Sequence, residues 1–248
     1  MNEAVGNLLA VGNVAEVFEW GSLVVKLYKS ATAKPAAFRE AALHAAVEAL
    51  GLPVPRVWGV REIAGRWGVV FDRVDQASFA ERMLNNRDDI PQYLQSMVRL
   101  HMRIHTHAAV QFAGLNVRLA ANIAATERLD ERRKEDLLAG IADMPEGDRL
   151  CHGDFHPMNI LGEAAQPVII DWPDARCGDP AADVCRSWLL MKLHATEFAT
   201  TYLDMYCQSS GMTPETVLSW LPYVAAAKLA ENVPSELDGL RAIVDALP

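Results

Sequence analysis

The sequence predicts an α+β fold, with a small N-terminal part built on an antiparallel sheet and a larger, mainly helical C-terminal part. Two observations indicate this fold class. Short runs rich in Val, Phe, Leu and Trp alternate with turn residues near the N-terminus. Most of the remaining chain consists of segments with helix start and stop signals. The length of 248 residues allows one large domain or two lobes.

The first predicted strands lie within residues 8–28, where apolar runs are interrupted at Gly12-Asn13 and at residues 19–22. Gly and Asn at such interruptions are typical of tight turns between strands. Two further strands are predicted near residues 56–61 and 66–72. Together these segments would form a five-stranded antiparallel sheet.

One helix is predicted within the strand-rich part, at residues 34–50. Thr32 and Pro35 are typical of a helix start, and Gly51 is typical of a helix end. A second helix is predicted to begin at residues 89–91, because apolar residues then recur every three to four positions. This stripe consists of Ile90, Leu94, Met97, His101 and Ile104. Further helices are predicted near residues 119–128, 131–141, 180–193, 197–209 and 214–233.

One segment carries the spacing of a phosphoryl-transfer centre. His152-Gly153-Asp154-Phe155-His156-Pro157-Met158-Asn159 is followed, twelve residues after the Asn, by Asp171, at the end of an apolar strand predicted at residues 167–170. In the pattern His-x-Asp-x-x-x-x-Asn, the Asp accepts a substrate proton, and the Asn and a later Asp hold Mg²⁺ against nucleotide phosphates. Asp154 is therefore the candidate catalytic base, and Asn159 and Asp171 are the candidate metal ligands.

These residues resemble the signature of the aminoglycoside phosphotransferase and choline kinase superfamily, which is His-Gly-Asp-x-His-x-x-Asn followed by Ile-Asp-Trp. Residues 152–159 and 170–172 match it, and residues 178–183 resemble the family's Gly-Asp-Pro-x-x-Asp. The resemblance implies a bilobal, protein-kinase-like fold that binds ATP and Mg²⁺ in a cleft. We then expect a nucleotide-binding lobe at residues 1–72, a hinge at 73–77, and a helical lobe with the catalytic loop and acceptor site at 78–248.

A single Lys stands among apolar residues in the predicted strand at residues 23–28. A charge on a mostly buried strand is costly unless it is paired, so Lys26 needs an anion. In the kinase pattern, that Lys contacts the nucleotide phosphates and a Glu of the following helix. Glu40, the first acid after the apolar Phe38, is the predicted partner, and Glu48 is the alternative.

A phosphate-binding loop is predicted only by a degenerate match. When Val17 is aligned with the Val of Gly-x-Gly-x-x-Gly-x-Val, Gly12 takes the middle position, and Ala10 and Ala15 replace the outer glycines. Gly12 is therefore a candidate nucleotide contact, with an ordinary hairpin turn as the alternative.

A second nucleotide contact is predicted at residues 70–74, where members of the superfamily bind adenine through hinge backbone groups. Phe71 and Arg73 are the candidates there, and a plain strand end is the alternative.

Three histidines, His101, His105 and His107, stand near the end of the predicted helix that begins at residues 89–91. His-x-x-x-His on one helical face could bind zinc, but no acidic or cysteine partner is paired with it in sequence. Packing and helix-end capping are therefore favoured, with a zinc hydrolase as a rival function.

Asp183 is predicted to accept hydrogen bonds from backbone amides of the catalytic loop, with substrate contact as the alternative. His152 is expected to brace that loop, because Asp154 already provides a base. For His156, bracing and phosphate contact are both open.

The composition limits the classes of partner. A net charge of -9 argues against binding to nucleic acid or to an anionic membrane surface, and it is compatible with a cationic acceptor. The four cysteines have no Cys-x-x-Cys spacing, and the N-terminus has no secretory pattern, so we expect a cytoplasmic protein with reduced thiols. No uncharged apolar run approaches about 18 residues, so no membrane-spanning helix is expected.

The resemblance implies an ATP-dependent phosphotransferase that acts on a hydroxyl of a small molecule, with an aminoglycoside-type acceptor favoured. Gly153 in place of the Arg of protein kinases, and the lack of an Ala-Pro-Glu sequence, argue against regulation by an activation loop. Choline, ethanolamine or a sugar is an alternative acceptor, and a non-catalytic pseudokinase is a rival. The oligomeric state is open. Acids that could bind a cationic acceptor, or form a solvated face, are Glu197, Asp204, Glu231, Glu236 and Asp238.

Overall fold

The computed structural model of the chain describes residues 5–246, which divide into two compact units. The first unit contains residues 5–82 together with Met158–Pro173, and the second contains Met83–Pro157 together with residues 174–246. The lobe boundaries and the hinge at residues 73–77 remain predictions.

The elements of the described chain follow in sequence order. The strands are β1 (Leu8–Val11), β2 (Ala15–Trp20), β3 (Leu23–Tyr28), β4 (Val57–Ile63), β5 (Arg66–Asp72), β6 (Arg149–Cys151), β7 (Ile160–Glu163), β8 (Gln166–Ile169) and β9 (Arg176–Gly178). The helices are α1 (Lys34–Glu48), α2 (Phe79–Asn85), α3 (Ile90–His105), α4 (Leu115–Ala125), α5 (Glu131–Ala142), α6 (Pro180–His194), α7 (Thr196–Ser210), α8 (Pro214–Leu218), α9 (Leu221–Lys228) and α10 (Leu237–Asp245). The predicted α+β fold class is confirmed.

The first unit is built on the predicted five-stranded antiparallel sheet, in the order β1-β2-β3-β5-β4. The central strand β3 pairs with β2 on one side and with β5 on the other. Lys26 therefore lies opposite Val17 and Val69. The neighbours of Lys26 on both adjacent strands are therefore apolar and β-branched. They provide no negative charge, so the ammonium group of Lys26 must pair with anions from other segments.

Helix α1 packs on this sheet through one buried face, formed by Ala37, Glu40, His44 and Val47. The predicted start was wrong in one detail, because Ala33 occupies the cap position and the backbone amide of Thr32 donates to Lys29 instead. The last residue of the helix is Glu48, and Gly51 follows with a left-handed φ of 71°. Glycine adopts that conformation without steric cost, so it terminates the helix as predicted.

The first unit also contains a hairpin from later in the sequence, formed by β7 and β8, in which Ile160 pairs with Ile169. Backbone hydrogen bonds tie it to the rest of the unit. The amide of Gly162 donates to Ala77 at 3.0 Å, and that of Ile169 donates to Pro53 at 2.7 Å. The strand predicted at residues 167–170 is β8, displaced by one residue toward the N-terminus.

The second unit consists of helices around a short antiparallel pair, β6 and β9, in which Cys151 lies opposite Arg176. The stripe predicted on α3 is buried at Leu94, Met97, His101 and Ile104. Helix α7 packs against α3, and its Tyr202 and Tyr206 are buried. Aromatic rings therefore surround the polar histidines of α3.

Two predictions about the helices of the second unit were wrong. The helix predicted at residues 119–128 begins at Leu115 and ends at Ala125. The helix predicted at residues 214–233 is divided into α8, α9 and a 3₁₀ helix at Leu229–Glu231. Pro222 lies in the first turn of α9, where its missing N–H cannot continue the hydrogen-bond ladder of α8. Helices α2 and α10 were not predicted.

A helix that crosses a membrane must be long and apolar. None of the helices between residues 5 and 246 combines that length with that apolar character.

Two backbone segments of the second unit come very close to each other at Gly147. Its φ is 69°, and a Cβ atom there would lie 2.3 Å from the amide of Asp179. We expect Gly147→Ala to cost more than the ~1–2 kcal/mol of a left-handed residue alone. Urea-induced unfolding measures that cost. The control is Gly211→Ala, because Gly211 has a φ of 77° with open space around it. Equal losses in the two variants would contradict the close approach.

Candidate active site

The predicted Lys26–Glu40 ion pair is present in the first unit. The Nζ atom of Lys26 lies 2.9 Å from Oε1 of Glu40 and 2.6 Å from Oδ1 of Asp171. Glu40 is buried, and the side chain of Lys26 is 17% exposed. The structure thus brings together residues from β3, from α1 and from the segment after β8.

These contacts keep Lys26 charged. Burial by itself would lower the pKa of the ammonium group, but the charges of Asp171 and Glu40 outweigh burial and raise its pKa well above the usual value. A permanently cationic Nζ, held by carboxylates from two elements, can bind a polyanion such as a nucleotide phosphate.

Glu40 is held at both carboxylate oxygens. While Oε1 faces Lys26, Oε2 accepts a hydrogen bond from the hydroxyl of the buried Tyr28. Burial, together with the charge of Glu40, raises the pKa of Tyr28 well above its usual range, so the hydroxyl stays protonated and donates. The alternative prediction, that Glu48 pairs with Lys26, was wrong, because the carboxylate of Glu48 accepts a hydrogen bond from the amide of Val57 at 3.0 Å. Tyr28 was not predicted, although it lies two residues after Lys26 and so on the same face of β3.

The candidate metal ligands lie at the end of the β7–β8 hairpin. The backbone carbonyl of Asn159 accepts a hydrogen bond from the amide of Ile170 at 3.0 Å. Asn159 is thus paired with the residue directly before Asp171. Asp171 has a φ of 66°. A non-glycine residue in this left-handed region costs roughly 1–3 kcal/mol, and such strain concentrates at functional sites. An amide oxygen and a carboxylate are hard oxygen donors, and this donor set fits Mg²⁺.

The other predicted nucleotide contacts are also in the first unit. Gly12 lies in the turn between β1 and β2, where its amide donates to Ala15 at 2.8 Å. The side chain of Phe71 is buried against the ring of His44. Arg73 pairs with Glu19 at 2.8 Å and with Asp75 at 2.5 Å. Their contact with a nucleotide stays a prediction.

The second unit contains the candidate base in the loop after β6. Gly153 has a φ of 80°, and a Cβ atom there would lie 2.4 Å from the carbonyl oxygen of Asp174. Only glycine fits this position, which explains the Gly of the His-Gly-Asp sequence. The amide of Asp154 donates to Nδ1 of His152 at 3.2 Å, and His152 is fully buried. The predicted loop-bracing role of His152 is confirmed.

Asp154 has cationic or hydrogen-bonding groups on both carboxylate oxygens. Oδ1 lies 3.2 Å from Nη2 of Arg186, and Oδ2 lies 3.4 Å from Nε2 of His156. Burial would raise the pKa of Asp154, but the hydrogen bond with His156 and the charge of Arg186 outweigh it and lower the pKa. Asp154 is therefore ionised at neutral pH, as a proton acceptor must be. Arg186 was not predicted, although it follows Asp183 by about one helical turn.

Asp183 holds the same loop through hydrogen bonds to its backbone. Its carboxylate is buried and accepts hydrogen bonds from the amide of His152 at 2.6 Å and from that of Gly153 at 2.8 Å. The predicted amide-binding role of Asp183 is confirmed. Burial opposes its ionisation, but His101 and His105 outweigh burial and hold the pKa of this carboxyl well below its usual range.

The two histidines of α3 complete this buried group. Their Nε2 atoms lie 2.9 Å (His101) and 3.2 Å (His105) from Oδ2 of Asp183. Their Nδ1 atoms lie 2.5 Å and 2.7 Å from the hydroxyls of Tyr202 and Tyr206. His101, His105 and Asp183 are close enough to share a metal ion. Hydrogen bonds, however, account for all four ring nitrogens, since a neutral imidazole donates at one nitrogen and accepts at the other.

Sequence comparison identifies the family. Residues 15–221 match the family described as the phosphotransferase enzyme family. This match covers most of the chain, so the chain belongs to that family. It is a kinase-type phosphotransferase, as the catalytic signature predicted. A comparison with curated proteins found no match.

Solved structures of aminoglycoside phosphotransferases have the same fold. A thermostable mutant of APH(4)-Ia is 16% identical, with a TM-score of 0.70 over 98% of this chain and 91% of that one. Aminoglycoside-3'-phosphotransferase of type VIII is 21% identical, with a TM-score of 0.65 over 92% of each chain. APH(3'')-Id from Streptomyces rimosus, in complex with ADP and streptomycin, is 15% identical, with a TM-score of 0.67 over 93% of each chain.

The buried His101 predicts a loss of stability in mild acid. Burial lowers its pKa from 6.5 to about 3. Above pH 6.5 the imidazole is neutral in both states, but below it the unfolded chain takes up a proton that the folded protein excludes. The free energy of unfolding should therefore fall between pH 6.5 and pH 3, by up to about 1.4 kcal/mol per pH unit from this group.

Urea-induced unfolding at pH 7.0, 6.0 and 5.0 measures this dependence. His101→Gln should be less stable than the wild type at pH 7 but should lose less stability on acidification. His107→Gln is the matched control, because His107 lies outside the Asp183 group, and it should retain the slope of the wild type. Equal slopes in all three proteins would contradict the prediction.

Proposed function

We propose that the protein transfers the γ-phosphate of ATP to a hydroxyl group of a small molecule, with an aminoglycoside-type acceptor favoured. The observation that carries this proposal is the shared ion pair of Lys26 with Glu40 and Asp171, residues that are 14 and 145 positions away in sequence. Phosphoryl transfer depends on such a Lys, Glu and metal-binding Asp.

The first unit supplies the proposed nucleotide site. Lys26 would donate to the phosphates, and Glu40, fixed by Tyr28, would orient it. Asn159 and Asp171 would hold Mg²⁺, which neutralises phosphate charge when it is bound. Gly12, Phe71 and Arg73 complete the proposed contacts. The structure of an APH(4)-Ia mutant in a ternary complex with AMP-PNP and hygromycin B supports binding of a nucleotide and an aminoglycoside by this fold.

Asp154 would orient the acceptor hydroxyl and take its proton. A lowered pKa makes it a weak base, which suits a reaction in which positioning and charge neutralisation dominate. The second unit would also bind the acceptor. We place the protein in the cytoplasm, where its four free cysteines would remain reduced. With an aminoglycoside acceptor, its biological role would be antibiotic resistance.

A kinase of a small metabolite, such as choline, ethanolamine or a sugar, is the second candidate. Two of the acids that could bind the amino groups of an aminoglycoside are already paired with cations of the chain, which favours this second candidate. Glu231 lies 2.8 Å from Arg186, and Glu236 lies 2.9 Å from Lys228. The intact catalytic set argues against a pseudokinase, and the hydrogen bonds of His101 and His105 argue against a zinc hydrolase.

An ATP-consumption screen over aminoglycosides, macrolides, amino alcohols and sugars tests the activity. Asp154→Asn should lower turnover by ~10²–10⁴-fold, the usual contribution of a general base, and should leave ATP affinity unchanged. Asp136→Asn, at an exposed position of the same unit, is the matched control and should be active. Unchanged turnover in Asp154→Asn would exclude Asp154 as the base, and ATP binding without transfer to any acceptor would favour a pseudokinase.

Lys26→Met tests the nucleotide site separately. Loss of a charge-assisted contact to phosphate should weaken ATP binding by about 10–100-fold, which isothermal titration calorimetry can measure. The control is Lys34→Met, because Lys34 is exposed on α1 and its ammonium group lies over the ring of Trp67. Equal ATP affinity in the two variants, with both folded by circular dichroism, would exclude Lys26 from the site.

A further inference from the structure

We propose that Arg186 and Glu231 form a clamp that positions Asp154 and ties its loop to the end of α9. This inference rests on the proposed function, because it assigns positioning residues to the proposed base. Arg186 lies on α6, and Glu231 lies in the 3₁₀ helix that follows α9. Helices α6 and α9 pack against each other.

Arg186 contacts three acceptors with one guanidinium group. Its Nε donates to the backbone carbonyl of Gly153, and its Nη2 lies 3.2 Å from Oδ1 of Asp154 and 2.8 Å from Oε1 of Glu231. The side chain is 12% exposed. A guanidinium group is planar and its donors have fixed directions, so these three contacts determine where Asp154 lies relative to its own loop.

Glu231 is itself held in place on its other oxygen. Nζ of Lys228 lies 2.5 Å from Oε2 of Glu231 and 2.9 Å from Oε2 of Glu236. Lys228 and Glu236 are both buried. The charges thus alternate from Asp154 through Arg186, Glu231 and Lys228 to Glu236. Because both oxygens of Glu231 face cations of the chain, we assign it to support of Arg186 rather than to binding of an acceptor ammonium group.

The clamp fixes the rotation of the base. Arg186 holds Oδ1 of Asp154, and His156 lies on the side of Oδ2. Each carboxylate oxygen has two acceptor positions, so a substrate hydroxyl can still donate to Asp154. Effective proton acceptance requires a defined orientation, and an error of about 1 Å can cost on the order of 10²-fold in rate.

Steady-state kinetics with the acceptor found in the screen test the clamp. The variants are Arg186→Gln, Arg186→Lys and Glu231→Gln. The matched control is Arg87→Gln, because Arg87 forms an exposed pair with Glu197 at 3.6 Å. The measured quantities are kcat, KM for ATP and KM for the acceptor.

We expect Arg186→Gln to lower kcat by on the order of 10–100-fold, with KM for ATP unchanged. Arg186→Lys should recover only part of kcat, because an ammonium group keeps the positive charge but lacks the planar donor geometry. Glu231→Gln should lower kcat by less than Arg186→Gln, and Arg87→Gln should behave as the wild type.

Two kinetic outcomes would overturn the clamp. One is an Arg186→Gln enzyme with the kcat of the wild type. The other is a rise only in the acceptor KM, which would make Arg186 a substrate contact. A double-mutant cycle of Arg186→Gln and Asp154→Asn in urea-induced unfolding tests the contact without activity. Non-additive stabilities support the clamp, and additive stabilities overturn it. If the wild type phosphorylates no acceptor, the proposed function fails, and this cycle still decides whether the contact exists.

Discussion

A charge in a protein interior must be compensated, and each unit of this molecule is organised around one such charge. In the first unit it is the ammonium group of Lys26 at the centre of the sheet, which requires Glu40 from α1 and Asp171 from the hairpin. In the second it is the carboxylate of Asp183, which requires backbone amides of the catalytic loop and histidines of α3. Pairing these charges brings distant segments of sequence to defined positions.

The two compensated charges have different chemical consequences. The contacts of Lys26 leave a strong cation within reach of solvent, which suits a polyanionic ligand. The acceptor positions of Asp183, by contrast, are used by histidines and backbone amides of the protein itself. Asp183 therefore determines the conformation of the loop. Asp154 lies between these extremes. It is mostly buried and paired with Arg186, yet 28% of its side chain is exposed to solvent.

The sequence predicted those parts of the site that follow from burial and spacing. Lys26 had to have an acid partner because of its apolar neighbours, and the structure confirms Glu40. The reason given for Glu40 was nevertheless wrong, because Phe38 is 49% exposed, and Glu40 is buried because it shares a helix face with Ala37 and His44. Arg186 was not predicted because its acceptors belong to two separate segments, the loop after β6 and the 3₁₀ helix after α9, which meet only in the folded protein.

Gly153 also limits which residue type can precede Asp154 in this loop. Protein kinases place an arginine before the catalytic Asp, where it senses a phosphate added elsewhere in the chain. Here the carbonyl of Asp174 occupies the space that any side chain at residue 153 would need. An arginine at this position would therefore displace the neighbouring backbone, so the loop of this protein cannot carry a sensor of that kind.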